Sequence, residues 1–433
     1  MDAPWVVVHR TRSPTPLSRP GRPLWPYVVS TTVHSMSHVA MVSIAHHGHV
    51  NPSLGIVREL VARGHRVSYA IPDEGDFVGR VRATGAEPRV WRSTLPAAGD
   101  DQSRWGETRL DVAELFLRDA VQALPQLAEL YRDDVPDLVL SDFSGWAARV
   151  LAHRWSVGYV QLSPQLVPWE GYEEEVGARL AQELKSCARG RAHYARWRSW
   201  LAANDLAGVD PDTFMSRPPR SLVLIHPALQ PHADRVDTRR YSFVGPCQGE
   251  RAEHDVWTRP AEAAGRRVAL VSLGSNFTKQ PRFYRTCAEA FGALPDWYLL
   301  LQVGSQVSAG ELGSLPDNVE VRPWVPQPGV LRQADVFVTH AGAGGAQEGL
   351  ATGTPMLCVP QAGDQFDNAA MLVRLGVAER VDSADVAVEA LRAAVLRLAD
   401  DPAVAARCAA QRELASGDGS RRAADLVEAE LPG

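Results

Sequence analysis

Three histidines crowd one short stretch, Ile44-Ala45-His46-His47-Gly48-His49-Val50-Asn51-Pro52. An imidazole has an unperturbed pKa of roughly 6.5 and is mostly neutral near pH 7, which suits it to accept a hydroxyl proton. The stretch follows an apolar run, Val39 to Ile44, with the pattern of a buried strand. It leads into apolar positions at helical spacing (Leu54, Ile56, Val57, Leu60, Val61), and Asn51-Pro52 has the chemistry of a helix start. His49 is the candidate base. On the residues alone His46 and His47 are rivals, and a lone histidine serves equally well as a cap or loop residue. Such a base needs an acceptor to orient its second nitrogen. Asp142, after Leu138-Val139-Leu140, is the candidate, whereas Asp137 before that run reads as a turn residue.

A second group lies far along the chain. The run Val336-Phe337-Val338-Thr339 leads into His340-Ala341-Gly342-Ala343-Gly344-Gly345-Ala346-Gln347-Glu348. Glycines allow a sharp turn and close approach of backbone to a ligand. A helix beginning near Gly345 would offer free N–H groups and a positive dipole end to a diphosphate. His340 can donate to a phosphate oxygen, and Glu348 suits ribose hydroxyls. Gln347 stands where the dinucleotide-binding fingerprint needs a small residue, and no Gly-Lys-Ser/Thr follows. Taken alone, the loop is as readily a turn without a ligand. Its flanks add weight. Trp324 in the Pro-fixed segment Trp324-Val325-Pro326-Gln327 can stack on a base, and Gln327 can bond its edge. Ser275 follows the run Val268 to Val271 as a further phosphate contact, and Asp364 and Gln365 can grip sugar hydroxyls. Asp364 is also a good helix cap, and both roles can hold together.

The elements that must position these residues alternate. Strand patterns recur at 39–44, 67–71, 138–140, 159–162 and 222–225, then at 268–271, 298–301, 336–339 and 356–359, with helical stretches between. That rhythm implies parallel sheets with right-handed crossovers. A chain of 433 residues suits two domains. Residues 36–225 form an expected acceptor-binding domain, 226–262 a linker rich in Pro, Asp, Arg and His, and 263–433 a second domain ending in a charged helix. Residues 1–35, broken by prolines and arginines, read as a disordered extension, with Met36 or Met41 as a candidate start.

Composition excludes several classes. The apolar fraction of 45% and charged fraction of 22% are those of a globular protein. A formal net charge of −6 argues against a general nucleic-acid role. No apolar run is long enough for a bilayer span. Five widely spaced cysteines lack zinc spacing and read as reduced thiols in a cytoplasmic protein. No Gly-x-Ser-x-Gly elbow occurs. Asp210-Pro211-Asp212 lies in a polar loop and reads as a turn, so no essential metal is expected. Seven of the twelve tryptophans fall between residues 36 and 225, with about half expected in packing roles. Trp105 and Trp169 are the better candidates for an apolar acceptor pocket.

The order Trp324…Gln327…His340-x-Gly342…Glu348…Pro355…Asp364-Gln365 resembles the donor signature of family 1 glycosyltransferases, from Met36 onward. The 44–52, 339–345 and 359–361 stretches resemble the Streptomyces type that glucosylates macrolides. Where plant members carry Trp-Asn-Ser, this chain has Ala343-Gly344-Gly345, which leaves phosphate contacts to backbone N–H groups.

The resemblance implies the α/β GT-B fold, two doubly wound Rossmann-like domains facing across a cleft, and favours His49 as the base in His49-x-x-Pro52. It implies that Trp324 stacks on uracil and Gln327 bonds the base or ribose. Glu348 would hold the ribose. Ser275, His340 and the Gly342, Gly344 and Gly345 backbone would meet the diphosphate, and Asp364 and Gln365 the glucose. The implied activity is inverting, metal-independent transfer from UDP-glucose, with no cofactor, to the amino-sugar hydroxyl of a macrolide, as self-resistance. Another small apolar acceptor is an alternative. A UDP-sugar epimerase of the same fold or a non-catalytic sensor are alternatives of other classes. Expected partners are the UDP-sugar and the acceptor, with a homodimer allowed and neither nucleic acid nor membrane.

Overall fold

The computed structural model describes residues 36–97, 100, 102–247, 256–274, 278–382, 386–415 and 417–432. The expected extension 1–35 and Ser275 lie outside the described residues.

Two parallel sheets organise the chain. The first is built from β1 (His38–Val42), β2 (Arg66–Pro72), β3 (Glu87–Trp91), β4 (Leu138–Asp142), β5 (Gly158–Ser163), β6 (Ser221–Val223) and β7 (Tyr241–Phe243), in the order β3-β2-β1-β4-β5-β6-β7. The second uses β8 (Arg267–Ser272), β9 (Trp297–Gln302), β10 (Val319–Arg322), β11 (Val336–Thr339), β12 (Met356–Cys358) and β13 (Ala378–Arg380), in the order β10-β9-β8-β11-β12-β13. Each sheet is doubly wound, as expected. Strand order reverses between β1 and β4 in one and between β8 and β11 in the other, and crevices at such reversals bind ligands.

The helices that position the site are α1 (His47–Ala62), α2 (Arg109–Leu130), α3 (Ala343–Thr352), α4 (Gln365–Arg374) and α5 (Gly419–Glu428). The expected helix start at Asn51-Pro52 is corrected: α1 opens at His47, one turn earlier, and Pro52 lies inside it. Pro52 has no N–H to give the carbonyl of Gly48 four residues back, so the first turn keeps one backbone bond fewer. At the other end Gly64, at φ +92°, turns the chain out of the helix as expected. Among the described residues no helix is long and apolar enough to cross a membrane.

Two domain boundaries are corrected. The 226–262 segment is not only a linker, because β7 extends the first sheet by pairing with β6. The last helix leaves the 263–433 unit and docks on α1. Ala423, Ala424 and Val427 are buried beside Ile56, Val57 and Leu60. Arg63 reaches Asp425 at 2.6 Å and Glu428 at 2.7 Å, and His65 Nε2 meets Glu428 at 3.0 Å. Gly55 makes the approach possible, since a Cβ there would lie 2.4 Å from Ser420 Oγ. The charged appearance of α5 hides a narrow apolar stripe, and only the three-dimensional groove beside α1 gives that stripe a partner.

Candidate active site

The first cluster forms at the β1/β4 reversal. β1 and β4 pair with Val42 opposite Ser141, so the residues that follow each strand emerge side by side. His49 stands in the first turn of α1, and its Nδ1 lies 3.0 Å from Asp142 Oδ2. Asp142 is 1% exposed. Its two oxygens also accept Ile44 N at 3.1 Å, Ser144 N at 2.8 Å and Ser144 Oγ at 2.7 Å. Burial works to raise its pKa, but the facing His49, Ser144 and the Ile44 N–H together hold it below the usual carboxylate range. The carboxylate is therefore anionic and fixed in direction. An anionic carboxylate only accepts, so Nδ1 carries the hydrogen of this contact and Nε2 is the ring nitrogen left for another partner. The dipole at the start of α1 opposes a positive charge there, and the buried carboxylate counters it. Phe143 stacks on the imidazole at 4.7 Å.

The rival histidines have other surroundings. His46 is buried, its Nε2 contacts Pro96 O at 3.1 Å, and burial together with the neighbouring His49 lowers its pKa to about 4. His47 stacks on Trp324 at 5.2 Å and meets the edge of Phe77 at 4.9 Å. His49, by contrast, meets the buried Asp142 carboxylate at 3.0 Å. Asp137 is a strand tie, as expected of a residue outside the site, with Oδ2 accepting His38 N at 2.7 Å.

The second cluster forms at the β8/β11 reversal. His340 follows β11 and lies against Gly274, which follows β8. A Cβ on Gly274 would come within 2.6 Å of His340 Cε1, and one on Gly342 within 2.4 Å of His340 Nε2. The imidazole thus fills a slot that two missing side chains create. Burial lowers its pKa to about 4, so near neutral pH it is a hydrogen-bonding group rather than a cation. Ala341 sits at φ +61°, a left-handed conformation rare for alanine, held by Ala341 N to Thr339 Oγ1 at 3.2 Å and by Asn368 Nδ2 to Ala341 O at 3.0 Å.

Helix α3 starts at Ala343, two residues before the expected position, with Gly342 as its cap residue. Its cap residue is a glycine and no acidic residue lies in its first turn; the Asp364 carboxylate engages the Ala343 backbone, and the other leading N–H groups suit an anion. Gly344 faces open space, while a Cβ on Gly345 would meet Thr339 Oγ1 at 3.2 Å. Glu348 lies on α3, and its Oε2 accepts Gln327 Nε2 at 2.6 Å. The structure therefore joins the two residues expected at the nucleoside. Trp324, three residues before Gln327, is 47% exposed.

The Asp364 and Gln365 pair divides. Asp364 is exposed at the start of α4 and makes no capping bond, its Oδ2 accepting Asn368 Nδ2 at 3.0 Å. Gln365 is buried, and its Oε1 accepts Gln361 N at 2.8 Å and Ala362 N at 3.1 Å. The carbonyl end of Gln365 thus shapes its own loop, which leaves its NH2 end for a ligand. Asp210 caps the short helix Pro211–Ser216, and Asp212 binds Lys185 and Tyr194, so the Asp-Pro-Asp sequence is structural.

Of the two tryptophans expected at an acceptor pocket, Trp105 lies 5.4 Å from the His46 ring, which in turn is 6.3 Å from His49. Trp169 packs with Tyr172 and His232 and donates to Glu175 at 2.9 Å. Sequence reading missed Gln302 and Asn368. Gln302, buried at the end of β9, accepts Val325 N at 3.1 Å and donates to Ser272 at 3.0 Å, which anchors the Trp324 loop. A glutamine closing the apolar run Trp297–Leu301 was the available signal.

In sequence and in structure the chain is similar to known glycosyltransferases. Residues 247–407 match the family model described as UDP-glucoronosyl and UDP-glucosyl transferase. The chain is 60% identical to the oleandomycin glycosyltransferase of Streptomyces antibioticus, over 93% of each chain. It is 31% identical to the demethyllactenocin mycarosyltransferase of Streptomyces fradiae, over 96% of this chain and 92% of that one. Among solved structures, the glycotransferase of kitacinnamycin superposes with a TM-score of 0.84 at 49% identity, covering 92% of this chain and 99% of that one.

Proposed function

The chain belongs to the family 1 glycosyltransferases of the GT-B fold, and from that premise we propose that it transfers glucose from UDP-glucose to a hydroxyl of a macrolide, with inversion and without a metal. The observation that carries the reading is the His49 Nδ1 to Asp142 Oδ2 contact of 3.0 Å on a buried, fully bonded carboxylate. A protein that only bound its ligands would have no need of a base oriented in this way. The macrolide assignment draws on the relative of Streptomyces antibioticus named for oleandomycin and on Trp105, two ring contacts from His49.

In the proposed reaction the acceptor hydroxyl gives its proton to His49 Nε2 as its oxygen bonds to the anomeric carbon. The bond from that carbon to the UDP oxygen breaks on the opposite face, and its electron pair leaves with UDP. Asp142 stabilises the imidazolium, which then returns its proton to water. The growing charge on UDP is met by His340 and the N–H groups at the start of α3. Ser275, Gly342, Gly344 and Gly345 belong to this diphosphate site in the same reading, Trp324, Gln327 and Glu348 to the nucleoside, and Asp364 and Gln365 to the glucose. Glucosylation of the drug would serve resistance.

Incubation with UDP-glucose and a macrolide panel, read by product mass, tests the assignment. A hexose added to a macrolide in the presence of EDTA is expected, with a β-anomeric coupling in the NMR spectrum. No product with any macrolide overturns the acceptor class, an α-linked product overturns the mechanism, and activity that EDTA abolishes and manganese restores overturns metal independence.

A further inference from the structure

The nucleoside platform and the base are joined by one ring. His47, the first residue of α1, stacks on Trp324 at 5.2 Å with planes 28° apart, and Phe77 closes on its edge at 4.9 Å. Trp324 belongs to the loop after β10 in the second half of the chain, while His47 and Phe77 belong to the first. A second link across the same mouth runs from Gln306 Nε2 to Asp100 O at 3.1 Å. His47 stands two residues before His49 on the same helix. That first turn has one backbone bond fewer than usual, because Pro52 supplies no N–H to Gly48. Beside the backbone bonds from His49 N and Val50 N to His46 O, side chains also hold it: Asp142 on His49, and Trp324 and the edge of Phe77 on His47.

We propose that His47 is a positioning residue that couples the nucleoside of the donor to the catalytic base. In this arrangement the uracil stacks on the exposed face of Trp324, and His47 holds the other face. A loaded Trp324 loop then presses on the start of α1 and fixes His49 for proton transfer. The proposal rests on Trp324 being the base platform and His49 the base. It predicts that the donor orders the first turn of α1 before the acceptor reacts.

The test uses the full chain with UDP, UDP-glucose and oleandomycin as probes. UDP affinity is measured by calorimetry, kcat by product mass, and order in residues 47–53 by amide hydrogen exchange. In the wild type and in His47→Phe, which keeps an aromatic ring, UDP is expected to slow exchange in that segment. In His47→Ala the slowing is lost and kcat falls about tenfold, while UDP affinity changes less than about twofold. Trp324→Ala loses about tenfold in UDP affinity, and adding His47→Ala to it costs no further kcat, because the ring has nothing left to press on.

The proposal is overturned if UDP slows exchange equally in His47→Ala, or if His47→Ala and Trp324→Ala act additively on kcat. It also falls if His47→Phe is as impaired as His47→Ala, which would make His47 a proton acceptor. Trp324→Ala with unchanged UDP affinity instead removes the base-stacking reading and the proposal with it. The exchange measurement needs no turnover, so a wrong acceptor is told apart from a wrong coupling.

Discussion

His49 and His340 both stand where strand order reverses in their sheets, but on opposite sides of that reversal, His49 in the helix after β1 and His340 directly after β11, the counterpart of β4, and their surroundings are opposite in kind. His49 meets a buried carboxylate that is itself held by Ile44 and Ser144. His340 meets two glycines whose missing side chains form its slot. The first arrangement lets an imidazole gain a proton, because an anion waits beside the cation that forms. The second keeps an imidazole neutral, since burial lowers its pKa to about 4 and outweighs the opposing hydrogen bond to the Ser272 backbone. One topology supplies both crevices, and the partner of each ring decides whether it works as a base or as a hydrogen-bonding wall.

The comparison breaks most visibly at its charged end. His49→Ala is expected to lower kcat by about 10³-fold or more while UDP affinity stays within about twofold. Asp142→Asn should lose about 10²-fold, since the carboxamide can no longer stabilise the imidazolium. Steady-state kinetics with calorimetry on UDP checks both, and a His49→Ala enzyme with normal turnover would remove the distinction between the two rings.

The glycine slot gives the next effect. Gly342→Ala places a methyl 2.4 Å from His340 Nε2 with no backbone strain, because Gly342 has φ −60°. It should weaken UDP binding about tenfold. Gly344→Ala, which meets nothing within 4 Å, should change it less than about twofold. Equal effects from the two substitutions would show that shape around His340 is not what the glycines provide. Glu348→Ala, at the nucleoside end, is expected to cost about tenfold in UDP affinity and leave acceptor affinity alone, again by calorimetry.

A smaller effect follows from pH. His46, buried with a pKa lowered to about 4, stays neutral in the folded chain while its unfolded form protonates below about 6.5. The unfolded state then binds more protons. Stability is full above pH 6.5, falls as pH drops towards 4 and levels off below, by about 3 kcal/mol for this residue. His340 acts in the same direction. Thermal unfolding against pH should show the slope, and His46→Gln should flatten it.

The strands that sequence pattern reveals and those it hides differ by position. All nine central strands have recognisable apolar runs, because both faces of a parallel sheet are covered by helices. The four missed, β3, β7, β10 and β13, are the sheet edges. Their residues are only partly buried, as in Val319–Arg322 and Glu87–Trp91, so polar side chains interrupt the run.

The sequence by itself determined the alternating architecture, the glycine loop after β11 and the types of the site residues, because local periodicity and glycine spacing are properties of neighbours along the chain. The tertiary structure decided which of three histidines pairs with Asp142, 93 residues away. It also decided that His47 touches Trp324 and that α5 returns to α1. Those outcomes depend on which strand ends lie side by side and on which grooves stand open. Such long-range packing leaves no periodic trace in either partner's own segment.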